Sequence, residues 1–87
     1  MPLSQVFSAL SEPNRQKILD LLKKGEMTVT DILSHLEITM PTLSHHLDIL
    51  KQSDLIGSRR DGQQIYYSLN MSVIDEIAEK IAKFLSK

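Results

Sequence analysis

Residues 28–56, TVTDILSHLEITMPTLSHHLDILKQSDLI, carry the reading of the whole chain. In the first half, Val29, Ile32, Leu33 and Leu36 recur at i, i+3, i+4 and i+7, which is one apolar face of a helix. Thr28 precedes that run with Asp31 three positions later, a variant of the capping box with Asp in place of Glu or Gln. In the second half, Met40, Leu43, Leu47 and Leu50 form another stripe. Thr39 is the expected N-cap there, and Pro41 falls in the first turn, where a missing N–H costs nothing. Only Glu37 and Ile38 remain between the two helices, so they are expected to cross steeply with Ile38 as a plug.

Two helices joined this tightly make the helix-turn-helix pattern, whose second helix enters the major groove of DNA. Amphipathic helices and short turns also occur in any small bundle, so the outward face has to decide. On a helical wheel Pro41, Thr42, His45, Ile49 and Gln52 lie opposite the leucines, flanked by Ser44, His46 and Asp48. An idle exposed helix would carry Glu and Lys in i, i+4 pairs. This face offers hydroxyls, imidazoles and a proline, compact groups suited to base edges and phosphates.

The 87 residues are read as a single domain, 1–87. A chain this short buries roughly 60–65% of its unfolded surface, so its core is thin and association would help it. The absence of cysteine excludes disulfides, thiolate zinc sites and a thiol nucleophile. No apolar run approaches the roughly 18 residues of a membrane span, and Met1–Gln5 has no basic segment leading into a hydrophobic one. A cytoplasmic protein without membrane insertion is expected. The net charge of −1 weighs mildly against nucleic acid, although Arg59-Arg60 concentrates positive charge at one place.

Upstream, Leu3, Val6, Phe7 and Leu10 mark a short first helix with Ser4 as its expected cap. In LSEPNRQKILDLLKKGE, Ser11 is the expected cap, Pro13 lies in the first turn, and Ile18, Leu19, Leu21 and Leu22 face inward. Lys23 and Lys24 suit the negative end of the helix dipole better than a phosphate contact, and Gly25 suits the C′ position. Downstream, Asp61-Gly62 in LIGSRRDGQQIYYSLN is a two-residue hairpin signal between β-prone segments. Ile65, Tyr67 and Leu69 alternate with Tyr66 and Ser68, so this ribbon has an apolar side that must pack on the helices. Following a recognition helix, it is a wing, with Arg59, Arg60 and Gln63 near its tip to grip backbone or minor groove. The last helix is capped by Asn70 or Ser72, with Asp75 and Glu76 early and Lys80, Lys83 and Lys87 late, as the dipole favours. Its apolar residues, Val73, Ile74, Ile77, Ala78, Ile81, Ala82, Phe84 and Leu85, cover more than one stripe. The surplus, together with the first helix, wants a partner. The expected fold is mostly α with a small two-stranded wing, in the order of four helices, hairpin and fifth helix.

That order resembles the ArsR/SmtB family of winged helix-turn-helix repressors along nearly the whole chain. LSEPNRQKILDLL, TLSHHLDILKQSDLI and RRDGQQIYYSL carry the resemblance. It implies a homodimer built from the first and last helices, binding an inverted-repeat operator in double-stranded DNA and repressing transcription. By position, it implies DNA contacts from Met40, Pro41, Thr42, Ser44, His45 and His46, with Arg59, Arg60 and Gln63 in the wing. The expected dimer residues are Leu3, Val6, Phe7, Ile77, Ile81, Phe84 and Leu85. Met40 departs from the polar residue, often Gln, that relatives carry there.

The family's metal-sensing signatures do not carry over. Met27–Asp31 lacks the cysteines of one sensor type, and Asp75, Glu76 and Glu79 have no histidine among them for another. A member without metal or cofactor is the expectation, released by an inducer protein, by a small apolar ligand, or by control of its own level. Enzymatic function is not expected, because Ser44 and His45 are adjacent on one helix and point about 100° apart, so with Asp48 they cannot form a relay. A protein-interaction module and a metal-responsive sensor of the same fold remain the alternatives. His45 and His46 titrate near pH 6.5 when unperturbed, so DNA affinity is expected to rise as pH falls from 8 to 6.

Overall fold

A computed structural model describes residues 3–86, so Lys87 lies outside the described residues. Five helices and three strands follow in the order α1 (Leu3–Leu10), α2 (Pro13–Leu22), β1 (Met27–Thr28), α3 (Val29–Leu33), α4 (Met40–Gln52), β2 (Ile56–Asp61), β3 (Gln64–Leu69) and α5 (Met71–Leu85).

Local chemistry sets most helix starts. Thr28 Oγ1 accepts from the Asp31 amide at 3.2 Å and Thr39 Oγ1 from the Thr42 amide at 3.4 Å, so both expected caps are in place. Asn70, and not Ser72, caps α5 by accepting from the Val73 amide. Two expected caps differ. The first helix already begins at Leu3, which puts Ser4 inside it. The cap of α2 is Glu12: its position before Pro13 keeps it extended, at φ −107° and ψ 129°, and its carboxylate accepts from the Arg15 amide at 3.1 Å. Ser11 instead donates its hydroxyl back to Ser8 O at 2.6 Å. At the far end of α2 the C-cap is Lys23, and Gly25 stands two residues further on with φ +138°.

The link in the helix pair is longer than the expected two residues. Helix α3 ends at Leu33, and residues 34–39 connect it to α4. Ser34 Oγ donates to Asp31 O at 2.6 Å, a local bond that competes with helix continuation. The chain then tightens into i→i+3 bonds, His35 N to Ile32 O and Leu36 N to Leu33 O, both 3.1 Å. Leu36 and Ile38 still pack against the core from this turn.

The wing, expected as two strands packed on the helices, is part of a three-stranded antiparallel sheet of order β1-β3-β2. Met27 and Thr28 pair with Tyr67 and Tyr66 on the side of β3 away from β2. Pairing of β2 with β3 runs from Ile56↔Leu69 to Asp61↔Gln64, so the hairpin loop is Gly62-Gln63, one residue later than Asp61-Gly62. Gly62 has φ +63° while Gln63 does not, a pattern of type II′ turns with glycine first.

Val6, Ala9, Ile18, Leu22, Ile32, Leu43, Leu47, Leu50, Leu55, Ile56 and Ile77 form the core, drawn from every helix and from the start of the sheet. The residues expected at a dimer interface therefore divide. Val6 and Ile77 are 0% and 7% exposed within one chain, so they are core residues of the protomer. Phe7, Ile81, Phe84 and Leu85 remain exposed, Phe84 to 86% and Leu85 to 73%, and Leu3 is half-buried. No helix among the described residues is long and apolar enough to cross a membrane.

Candidate nucleic-acid interface

One side of α4 is anchored and the other is open. Leu43, Leu47 and Leu50 are fully buried, which fixes the helix about its own axis. Met40, Pro41, Thr42, Ser44 and His45 are consequently exposed at its N-terminal half. Thr42 Oγ1 accepts from Thr39 Oγ1 at 3.0 Å, so the first turn presents two linked hydroxyls. The surface offers donors and acceptors on a rigid helix, with no side-chain charge before His45.

His46 departs from the expectation. It is only 7% exposed and turns inward. Its Nδ1 is 3.1 Å from Arg15 Nη1, and its Nε2 is 3.5 Å from Glu12 Oε2. Burial holds its pKa below the usual histidine value; Glu12 pulls it up, while Arg15 and His45 push it down. It therefore offers neither a base contact nor a charge to phosphate, and the expected gain in DNA affinity on acidification does not extend to it. Glu12 loses some acidity to burial, but hydrogen bonds from the Asn14 and Arg15 amides, with the nearby His46 and Arg15, bring its carboxyl below the ordinary value.

In the wing, Arg59 and Arg60 lie on opposite faces of β2, as successive strand residues must. Arg59 is engaged. Its Nε donates to Glu26 Oε2 at 3.0 Å, its Nη2 donates to the other carboxylate oxygen, and its guanidinium lies 4.6 Å from the centroid of the Tyr66 ring. Asp61 adds a looser ion pair at 3.8 Å. The Glu26 hydrogen bonds raise the Arg59 pKa and lower that of Glu26. Nothing in the sequence spacing links Glu26 to Arg59; the third strand brings them together across Tyr66. Arg60 and Gln63 are exposed, and Arg60 has no ion-pair partner among the described residues.

Among the described residues no three His, Cys, Asp or Glu side chains converge as metal ligands would. An apolar cleft of about 610 Å³ is lined by Leu10, Leu19, Leu55, Leu69, Ile74 and Ile77, with none of the residues expected to touch DNA.

A helix pair whose second member shows a polar face, followed by a sheet-anchored hairpin, defines a winged helix-turn-helix protein. Residues 12–58 match the model of the bacterial regulatory protein arsR family. The chain is 49% identical over 85 residues to the transcriptional repressor SdpR of Bacillus subtilis, covering 98% of this chain and 94% of that protein. It is 39% identical over 79 residues to the arsenical resistance operon repressor of Staphylococcus aureus, covering 91% and 76%. A crystal structure of a possible transcriptional regulator for arsenical resistance superposes with a TM-score of 0.80 at 28% identity, covering 92% of this chain and 83% of that one. The chain belongs to the ArsR family and is a transcriptional repressor of that family, not an enzyme.

Proposed function

We propose that the protein is a homodimer that binds an inverted-repeat operator, with α4 in the major groove and the wing on backbone or minor groove. The observation that carries the reading is the division of α4 into a buried leucine face and an exposed polar one. On it, Met40, Pro41, Thr42, Ser44 and His45 meet the groove, and Thr42, Ser44 and His45 supply the hydrogen bonds to bases. Arg60 and Gln63 meet the adjoining backbone, and Arg59 stiffens the wing through Glu26 and Tyr66. Leu3, Phe7, Ile81, Phe84 and Leu85 form the apolar patch that a second copy covers.

Selection of bound sequences from random DNA is the test. An enriched site with two-fold symmetry, whose half-sites lie about one helical turn apart, supports the proposal. Affinity should also fall steeply with salt, in proportion to the phosphates contacted. No enrichment, together with salt-insensitive capture of protein partners, favours an interaction module instead.

A further inference from the structure

We infer that Arg15 is a positioning residue for the recognition helix: its guanidinium ties the end of α1 to an uncharged His46 and so fixes the pitch of α4. This rests on the reading of α4 as the DNA-reading helix and adds which residues hold it in register.

Arg15 is 9% exposed and all three guanidinium nitrogens are used. Its Nε donates to Ala9 O at 2.8 Å and its Nη2 to Ser8 O at 3.2 Å, which satisfies carbonyls in the last turn of α1. The third branch, Nη1, reaches His46 Nδ1 at 3.1 Å, thirty-one residues away on α4. One side chain of α2 thus holds α1 and α4 at a fixed offset.

The chemistry of the third branch dictates the state of the ring. A guanidinium has donors only, so His46 Nδ1 must accept and the ring proton must sit on Nε2. Nε2 is also the nitrogen nearest the Glu12 carboxylate, at 3.5 Å. Protonating Nδ1 would remove the acceptor and set two cations 3.1 Å apart. The charged and titratable groups facing the ring are Arg15 and Glu12 from the start of α2 and His45 from α4; α1 presents the Ser8 and Ala9 carbonyls to the same guanidinium. Glu12 alone favours the charged ring, and burial outweighs it. His45 is exposed on α4 while His46 is buried against Arg15, so the strut separates two adjacent histidines into different jobs.

The test has a DNA-free arm and a DNA-binding arm. Nitrogen NMR of the imidazoles at pH 7 should find His46 neutral with its proton on Nε2; a charged ring, or a proton on Nδ1, overturns the inference. At pH 8, R15K and H46L should fold and weaken operator binding by about tenfold or more, because a hydrogen bond to a charged group is lost, while H46N, which keeps an acceptor near Nδ1, should rescue most of it. As pH falls from 8 to 5.5, wild type should lose affinity relative to H46N, since only wild type can charge the ring. Folded Arg15 variants that bind like wild type, or an H46N protein that binds no better than H46L, refute the strut. Should R15K or H46L not fold, the imidazole tautomer of the wild-type protein decides. A wild-type protein that selects no DNA sequence instead removes the operator reading, and leaves the strut to be judged by the imidazole tautomer.

Discussion

His45 and His46 are neighbours with opposite surroundings. One step of about 100° around α4 takes the first to the open face and the second into the pocket beside Arg15. His45→Ala is expected to cost ~1–3 kcal/mol on the operator and to relax sequence preference at one position, measured by titration against single-base variants. The wing arginines differ in the same way. Arg60→Ala should weaken all sequences alike and reduce the salt slope by about one phosphate contact. Arg59→Ala should change that slope less, because Glu26 already neutralises the guanidinium. For His46 the sign of the pH effect on stability follows from its lowered pKa. At neutral pH and above, folded and unfolded chains both carry the ring uncharged. Below about pH 6.5 the unfolded chain takes up the proton more readily, so stability falls with acid until the folded ring is protonated too. Glu12, also lowered, continues the loss at still lower pH as the unfolded and then the folded carboxyl protonate. Melting temperatures measured from pH 7.5 to 4 should decline throughout; a plateau or rise between 6.5 and 5.5 contradicts the buried, neutral His46.

At the level of elements, the helix pair depends on its caps. Thr39 starts α4 with one hydroxyl bonded to the Thr42 amide. Thr39→Ala should destabilise the fold by about 1 kcal/mol in denaturant titration, with the operator specificity of the remaining folded protein little changed. Helix α5 has two kinds of apolar position. Ile77 is in the protomer core, whereas Ile81, one turn on, is 38% exposed and continues toward Phe84 and Leu85. A carboxylate at each should therefore act differently. Ile77→Glu buries an unpaired charge inside one chain and should unfold it. Ile81→Glu should leave a folded chain that sediments as a monomer at micromolar concentration and binds operator weakly. An Ile81→Glu protein that remains a stable dimer would sink the proposed interface.

Across the whole molecule, the pairing of β1 with β3 joins the wing to the segment that leads into α3. The Glu26–Arg59 contact spans the same three strands. Exposed apolar side chains concentrate at the two termini, where Phe7, Ile81, Phe84 and Leu85 leave a surface a chain of 87 residues does not cover for itself. Two-fold pairing through such a surface is what would turn one recognition helix into a reader of two half-sites. Metal is expected to play no part in this. Soft-metal sensing needs thiolates, of which the chain has none, and zinc asks for three or more side-chain ligands. Operator binding should survive a chelator and be unmoved by micromolar zinc, copper or cadmium; release by any of them would show a metal-responsive repressor.

The helices, the leucine stripe of α4 and the exposed Thr42, Ser44 and His45 were legible in the sequence because they follow from periodicity and capping, which act within a few residues. The wing was legible for the same reason, although its turn fell one residue later than the Asp-Gly pair suggested. What periodicity could not supply was contact between distant segments. A two-residue strand has no detectable alternation, so β1 became visible only through its pairing with β3. Val6 and Ile77 looked like interface residues because the last helix carries more apolar surface than one stripe and the first was expected to join it, and only packing decides which of it turns inward. His46 lies beside the leucine stripe, at the border where a wheel assigns neither face. An arginine thirty-one residues earlier, aimed at the same point by the meeting of α1, α2 and α4, settled that it is buried.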